Sequence, residues 1–366
     1  MATIKNQYQP QIAFHPGETL EEKLEELGMG PKEFAIRTGK PEKTVIAILK
    51  GKSSITPEMA VQFEHVLKIP AHFWLNMQRS YDEYLAREER QELLAEATEW
   101  AKKFPIADMV KKTWLPTKTT IQEKTSELLA FFSISNHTAW EDYYFNQQLK
   151  VAFRISLAHT KDPYAISAWL RKGELQAAEL QAKSYNEKNF KNVLPEIKNI
   201  MAKHPENFFE QLQYICLEAG VKVVHTPCVN KAPINGSTRW LNDTPLIQLT
   251  GRFKRNDSFW FTFFHEAGHI LLHGKKDIFL ENIEYSDKDK QKETEADNFA
   301  IKWTLSKEEQ EEILQHYSIT EDDVIEFAQK FNTHPAIIIG RLQHDKLIPY
   351  SIGRQFFAPV EFDNKQ

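Results

Sequence analysis

Cysteine is scarce in this sequence, with two residues, Cys216 and Cys228, among 366. So few cysteines exclude a disulfide-stapled secreted scaffold and favour a reducing compartment. Glycine and proline are also sparse, at 13 and 17 residues, which excludes collagen-like and low-complexity chains. The chain should therefore be globular, and its length predicts about two or three domains.

Long hydrophobic runs are absent as well. No stretch reaches the roughly 18 uninterrupted apolar residues of a membrane span, and the closest, residues 259–272, contains two His and one Glu. Residues 1–16 lack the charged start, apolar core and cleavage site of a signal peptide. We therefore expect a cytoplasmic protein without a membrane partner.

The charge of the chain is unevenly distributed. A net charge of −5 excludes a protein that coats nucleic acid along its whole length. Residues 37–52, however, carry five basic residues and one acid, which gives a local charge of +4. This basic segment comprises Arg37, Lys40, Lys43, Lys50 and Lys52, with Glu42 as the acid.

The basic segment lies in a predicted helix-turn-helix. Short helical stretches separated by Gly and Pro run through residues 18–78, and Ala35, Gly39 and Val45 follow one another at offsets of four and ten residues from Ala35. The small Ala lets two helices approach, Gly permits a left-handed turn, and Val fills the space between the helices. A helical hairpin without a DNA role is the alternative interpretation.

In a helix-turn-helix, the second helix enters the major groove of DNA. Residues 40–49 would form this recognition segment, although Glu42 and Ala47 on its groove side are poor base readers. Flanking cations would lie near phosphates. The predicted DNA-binding residues are Arg37, Lys40, Lys43, Thr44, Lys50 and Lys52.

The pattern along the rest of the chain predicts two further regions. Amphipathic helical stretches continue to about residue 220, and β-branched runs at 221–224 and 246–250 then indicate short strands. We expect a mainly α, multidomain protein. Its predicted parts are an all-α module at residues 1–90, a helical connecting region at 91–220 and an α+β domain at 221–366.

The chemistry-bearing motif is His265-Glu266-x-x-His269, which lies in an apolar helical stretch. Residues four apart share a helix face, so both imidazoles can bind one Zn²⁺. Glu266 lies beside them, where it can take a proton from a water molecule that the metal activates. The alternative is a buried helix in which the His and Glu side chains only bond one another.

A catalytic zinc site needs a third protein ligand. Glu293 and Asp297 are four residues apart on a second predicted helix, which suits a ligand followed by a carboxylate that orients a ligating His. Glu295 is the alternative ligand, but it has no Asp one turn further on. His273 lies roughly 12 Å along the helix from His265, so we expect a capping or surface residue outside the site.

A cleft for substrate is predicted beside this helix. Residues 245–251 would bind an extended peptide by strand addition. Residues 237–239 could also line the cleft, although turn chemistry explains residues 235–237 equally well.

Two segments resemble known families. Residues 18–87, especially Gly51-Lys-Ser-Ser-Ile-Thr-Pro-Glu and Phe73-Trp-Leu-Asn-Met-Gln, resemble the HigA-type antitoxin branch of the Cro/C1 (XRE) helix-turn-helix regulators. His265-Glu-Ala-Gly-His269, together with Glu293-x-Glu-Ala-Asp297-x-Phe-Ala, resembles the ImmA/IrrE metallopeptidase family. The middle third carries only a vague likeness to proteins that join these two parts.

The resemblance implies a lambda-repressor-like fold for the first module and a zincin-like metallopeptidase fold for the last domain. It implies zinc held by His265, His269 and Glu293, with Glu266 catalytic. The expected partners are double-stranded operator DNA and a protein substrate of the repressor or antitoxin type, this chain itself included, or a cognate toxin. A homodimer is expected.

Three functions follow from these observations. The first is a transcriptional regulator with a zinc endopeptidase domain. The second is a DNA-binding HigA-type antitoxin or repressor whose peptidase-like half senses or binds a partner without cutting it. The third is an interaction scaffold with neither activity. Zinc content separates the third function from the other two, and a neighbouring small toxin gene would favour the second.

Overall fold

Contacts divide the chain into two units, Met1–Glu96 and Ala97–Gln366. The computed structural model describes residues 13–144, 162–273, 279–280, 287–316, 319–360 and 362. The expected boundary at residue 90 lies within the last helix of the first unit, and the expected boundary at residue 220 lies within the second unit. The division at these two residues stays a prediction, whereas the mainly α fold is confirmed.

The first unit is wholly helical in its described part. Its core is formed by large side chains that are completely buried, among them Phe34, Val45, Phe63 and Trp74. The helices are α1 (Pro16–Glu26), α2 (Pro31–Thr38), α3 (Glu42–Leu49), α4 (Pro57–Leu67) and α5 (Ala71–Glu96).

The helix-turn-helix packs as the spacing predicts. Ala35 and Val45 are buried on α2 and α3, and Gly39 ends α2 with φ 66°, a left-handed conformation that glycine adopts without strain. Thr56 caps α4, since its side chain accepts a hydrogen bond from the Met59 amide at 3.3 Å. Local sequence signals therefore set the helix ends in this unit.

The second unit begins with helices and continues into a sheet that helices cover. The helices before the sheet are α6 (Thr98–Ala101), α7 (Ile106–Lys111), α8 (Ile121–Phe132), α9 (His137–Trp140), α10 (Pro163–Glu179), α11 (Glu187–Lys203) and α12 (Phe208–Glu218). The strands are β1 (Lys222–His225), β2 (Gly236–Leu241), β3 (Thr244–Leu249) and β4 (Phe279–Leu280). The remaining helices are α13 (Asn256–Leu272), α14 (Asp287–Thr304), α15 (Lys307–Leu314), α16 (Glu321–Lys330) and α17 (Pro335–His344), followed by a 3₁₀ turn at Arg354–Phe356.

The strands form one sheet in the order β1-β3-β2-β4. β1 pairs with β3 in parallel, and β2 pairs antiparallel with both β3 and β4. The expectation that a peptide adds to residues 245–251 is wrong, because β3 is central and both of its hydrogen-bonding edges are occupied. Strand addition requires an exposed edge.

The main core of the second unit lies between the sheet and α13. Ile247 and Leu249 from β3 pack in one cluster with Phe259, Phe263 and Phe264 from α13. This apolar face fixes α13 against the sheet and sets the direction of its remaining side chains. No helix in the described part of the chain is long and apolar enough to cross a membrane.

Candidate functional site

Helix α13 places two histidines on the side that does not enter the core. His265 and His269 follow the buried residues Phe263 and Ala267 by two positions, which is about 200° around an α-helix. Even so, His265, Glu266 and His269 are all at most 2% exposed, because α14 covers this side of α13. The site is therefore buried between two helices.

Glu293 on α14 meets both histidines. Its Oε2 lies 3.2 Å from His265 Nε2, its Oε1 lies 3.5 Å from His269 Nε2, and the two Nε2 atoms are 3.0 Å apart. All three ligand atoms fall within 4.8 Å of one another. Two imidazoles and a carboxylate in one cluster match the donor set of a catalytic metal site.

The donors of this cluster fit a cation. Glu293 Oε1 is buried and accepts no hydrogen bond from any residue that the structure describes, which is costly unless a cation satisfies it. Burial and the neighbouring His265 hold the pKa of His269 well below its usual value. Its imidazole is therefore neutral, as a metal ligand must be. The group of His265, His269 and Glu293 can bind a metal.

Asp297 contacts His265 at Nδ1, the ring nitrogen that does not face Glu293. Its Oδ1 is 2.9 Å from His265 Nδ1, so an Nδ1–H that donates to the carboxylate leaves the Nε2 lone pair directed at Glu293. The i, i+4 spacing of Glu293 and Asp297 on α14 explains how one helix supplies both contacts. The structure thus brings together the three predicted metal ligands and Asp297, the carboxylate predicted to orient one of them.

His273 contacts His269, and the sequence did not predict this contact. Its Nδ1 lies 3.0 Å from His269 Nδ1, and its Nε2 lies 3.2 Å from Glu295 Oε2. One tautomer assignment satisfies the series: His269 Nδ1–H donates to His273, and His273 Nε2–H donates to Glu295. His269 Nε2 then stays an acceptor.

The expectation for His273 is therefore only half right. His273 is the C-cap residue of α13, but its side chain is 3% exposed and is not a surface group. Burial lowers the pKa of His273, while the bond to Glu295 opposes this shift. Glu295 contacts His273 and lies outside the cluster of His265, His269 and Glu293.

Glu266 is held by the neighbouring strand. Thr238 Oγ1 on β2 lies 2.7 Å from Glu266 Oε2 and can donate to it. Gly236 makes room for this contact, because a Cβ there would lie 2.7 Å from Glu266 Oε1. Thr238 thus lines the site, whereas Arg239 does not, since it is buried in an ion pair with Glu174 at 3.0 Å.

The basic segment of the first unit presents three cations. Lys43, Lys50 and Lys52 are exposed and form no ion pair with any described residue, and Thr44 beside them is half-buried. Arg37 instead bonds Glu33 at 2.5 Å, and Lys40 bonds Glu58 at 2.7 Å. Surface pairs of this kind are weak, and the Lys40 side chain is also largely covered, with 15% of it exposed.

Comparison with known proteins finds similarity to two families. The IrrE N-terminal-like domain, a peptidase M78 family, matches residues 216–343, which include α13 and α14. The uncharacterized HTH-type transcriptional regulator YddM of Escherichia coli K12 is 35% identical over 66 residues, which make up 18% of this chain and 70% of YddM.

Solved structures resemble the N-terminal part of the chain. A HigA-family addiction module antidote protein from Coxiella burnetii is 33% identical, with 23% of this chain and 91% of that chain covered and a TM-score of 0.22. Pseudomonas aeruginosa antitoxin HigA, solved with the higBA promoter, is 28% identical, with 22% and 89% covered and a TM-score of 0.22.

Proposed function

Since this chain belongs to the HTH-type transcriptional regulators and joins such a domain to an IrrE N-terminal-like domain, we propose that it is a DNA-binding regulator with zinc endopeptidase activity. Its substrate is a protein of the repressor or antitoxin type, and its DNA partner is a double-stranded operator. We expect the chain to bind that operator as a homodimer, as dimeric helix-turn-helix proteins bind two half-sites.

The observation that carries the proposal is the cluster of two buried histidines, His265 and His269, with the half-buried Glu293. Each imidazole has a partner on its far nitrogen, Asp297 for one and His273 for the other. Such contacts fix the tautomer and ring orientation of ligating histidines. If the His and Glu side chains only bonded one another within a buried helix, two imidazole Nε2 atoms and a carboxylate from a second helix would not have to meet.

These three residues would hold the zinc ion, which would supply Lewis acidity for peptide hydrolysis. The chain's own contribution is Glu266, which follows His265 directly and has its Oε2 fixed by Thr238. As general base, this carboxylate takes a proton from the attacking water, and it later returns the proton to the leaving amine. Its complete burial raises the strength of these interactions by excluding bulk water.

A cleavage assay with the full chain tests the proposal. The purified protein is incubated with the repressors, antitoxins and toxins encoded beside its gene, with zinc and with 1,10-phenanthroline, and products are identified by mass spectrometry. We expect cleavage of one such protein, or of the chain itself, with zinc only. If zinc and DNA bind but nothing is cut, the peptidase assignment fails and the chain is a repressor that binds a partner.

The exposed lysines lead to a prediction for DNA. Lys52→Ala should weaken binding to all sequences alike and reduce the slope of log affinity against log salt by about one, because one phosphate contact is lost. Lys43→Ala should instead relax sequence preference. Both effects are measured by fluorescence anisotropy with the promoter fragment and a scrambled fragment over a range of salt concentrations.

Lys23→Ala is the matched control for these variants, since Lys23 lies on α1 outside the basic segment and pairs with Glu26. Binding of the control should equal that of the wild type. Affinity that does not fall with rising salt in the wild type would contradict the DNA proposal.

His273 gives a second prediction. His273→Ala should weaken zinc affinity about 10- to 100-fold, as loss of a group that orients a ligand does. Competition with a chromophoric chelator measures this change. His316→Ala, a change at an exposed histidine of the same unit, is the control, and equal zinc affinity of the two variants would assign His273 a packing role only.

A further inference from the structure

A cavity of about 350 Å³ opens beside the N-terminal half of α13. Phe261 forms part of its wall and lies one helical turn before His265, with 6.5 Å between the two ring centroids. Arg341 and Gly340 of α17 form another part of the wall, and Thr304 at the end of α14 contributes a third. The cavity therefore lies along the same helix as the metal cluster.

Arg341 is the unusual group in this cavity. Its guanidinium carbon is 5.7 Å from the centre of the Phe261 ring, it is half-buried, and it forms no side-chain hydrogen bond or ion pair within the described part of the chain. Asp345 and Asp297 interact electrostatically with Arg341, but their carboxylates bond His344 and His265.

Arg255, the other arginine that lines the cavity, differs from Arg341 in its hydrogen bonds. Arg255 donates to both oxygens of Asp257, at 3.0 and 2.7 Å, and lies 3.7 Å from the centre of the Phe357 ring. Its charge is therefore compensated within the protein. The N–H groups of Arg341 donate to no described residue, and the planar fork of a guanidinium matches a carboxylate.

Aromatic side chains at the cavity are exposed. Phe253 is 54% exposed and Tyr350 is 65% exposed, and both line the cavity. Apolar surface that gathers around a concave site marks a binding surface. A guanidinium that makes no hydrogen bond to a described residue and lies beside aromatic rings therefore favours a ligand that has an apolar body and a carboxylate.

We propose that this cavity, the Arg341 pocket, binds an acidic side chain of the protein substrate together with a bulky apolar side chain two positions away, since these two side chains share one face of an extended peptide. The proposal rests on the peptidase function proposed above. The pocket begins at Phe261, about 6 Å along the helix axis from His265, a distance that two residues of extended peptide cover. It therefore selects residues that flank the bond to be cut.

Binding of peptide pools tests the Arg341 pocket without cleavage. The probes are three pools of fluorescein-labelled decapeptides, in which Glu, Gln or Lys is fixed two positions from one Phe and the other positions vary among small and apolar residues. The zinc-loaded full chain with Glu266→Gln is titrated, and anisotropy is read. We expect the Glu pool to bind at least about 10-fold more tightly than the Gln pool, as a charge-assisted pair requires, and the Lys pool to bind most weakly.

Arg341→Met in the same background should remove the preference for Glu while zinc content stays unchanged. Lys302→Met makes the same charge change at an exposed residue of α14 and should keep the preference. Equal binding of the three pools, or a Glu preference that survives Arg341→Met, would overturn the proposal.

Cleavage of the same pools by the wild type separates this proposal from the peptidase assignment. Cleavage that is indifferent to Glu, Gln or Lys overturns the pocket but leaves the peptidase. Glu-selective binding that Arg341→Met removes, without cleavage of any pool or neighbouring protein, overturns the peptidase and supports the pocket.

Discussion

Replacing Glu266 with Gln should lower the rate of substrate cleavage by about 10²- to 10⁴-fold, the range of general acid–base catalysis. Gln keeps the shape of the side chain and its contact with Thr238, but it cannot take a proton. Zinc content and thermal stability should therefore hold, because Glu266 lies outside the ligand cluster. Single-turnover cleavage rates at neutral pH, with zinc measured on the same samples, give the comparison.

Glu326→Gln is the matched control for this variant, since it makes the same chemical change at an exposed residue of α16. Its cleavage rate should equal that of the wild type. If Glu266→Gln cuts as fast as the wild type, Glu266 is not the base. If it cuts slowly but has also lost zinc, Glu266 belongs to the metal site itself.

Replacing both His265 and His269 with Ala should abolish the zinc content, which we expect to be about one ion per wild-type chain. One carboxylate cannot hold the ion alone when a tetrahedral site needs three protein ligands. The measurement is mass spectrometry of metals in protein purified without chelators or immobilised-metal columns. Stoichiometric zinc in this double variant would place the metal elsewhere.

Two glutamates on α14 provide an internal control for the third ligand. Glu293→Gln should reduce zinc content, because Glu293 lies within 3.5 Å of both Nε2 atoms. Glu295→Gln should not, because Gln can still accept a hydrogen bond from His273. The reverse pattern would assign the third ligand to Glu295 and contradict the geometry of the cluster.

Features that depend on residues within one or two helical turns could be predicted from the sequence. His265 and His269 share a face because four residues make about one turn of an α-helix. Glu293 and Asp297 follow the same rule on α14. Gly39 ends α2 in a left-handed conformation for an equally local reason. The mainly α fold and the helix-turn-helix followed from such signals.

Features that depend on long-range contacts could not be predicted in this way. Thr238 reaches Glu266 across 28 positions, and Trp169 on α10 donates to the Thr226 carbonyl across 57. The sequence therefore described residues 91–220 only as connecting helices, although α10 packs against β1 and β3 of the sheet. β2 was missed because residues 235–237 read equally well as a turn.

The sequence by itself determined the chemistry of this protein: which groups can bind a metal, which group can act as a base and which segment is basic. Only the tertiary structure decided which of these groups meet. The antiparallel approach of α13 and α14 selects Glu293 and assigns Glu295 to His273, and strand pairing closes β3 to any peptide. The periodicity of a helix depends on residues that are close in the sequence. The packing of distant elements depends instead on the apolar surface that the whole chain buries.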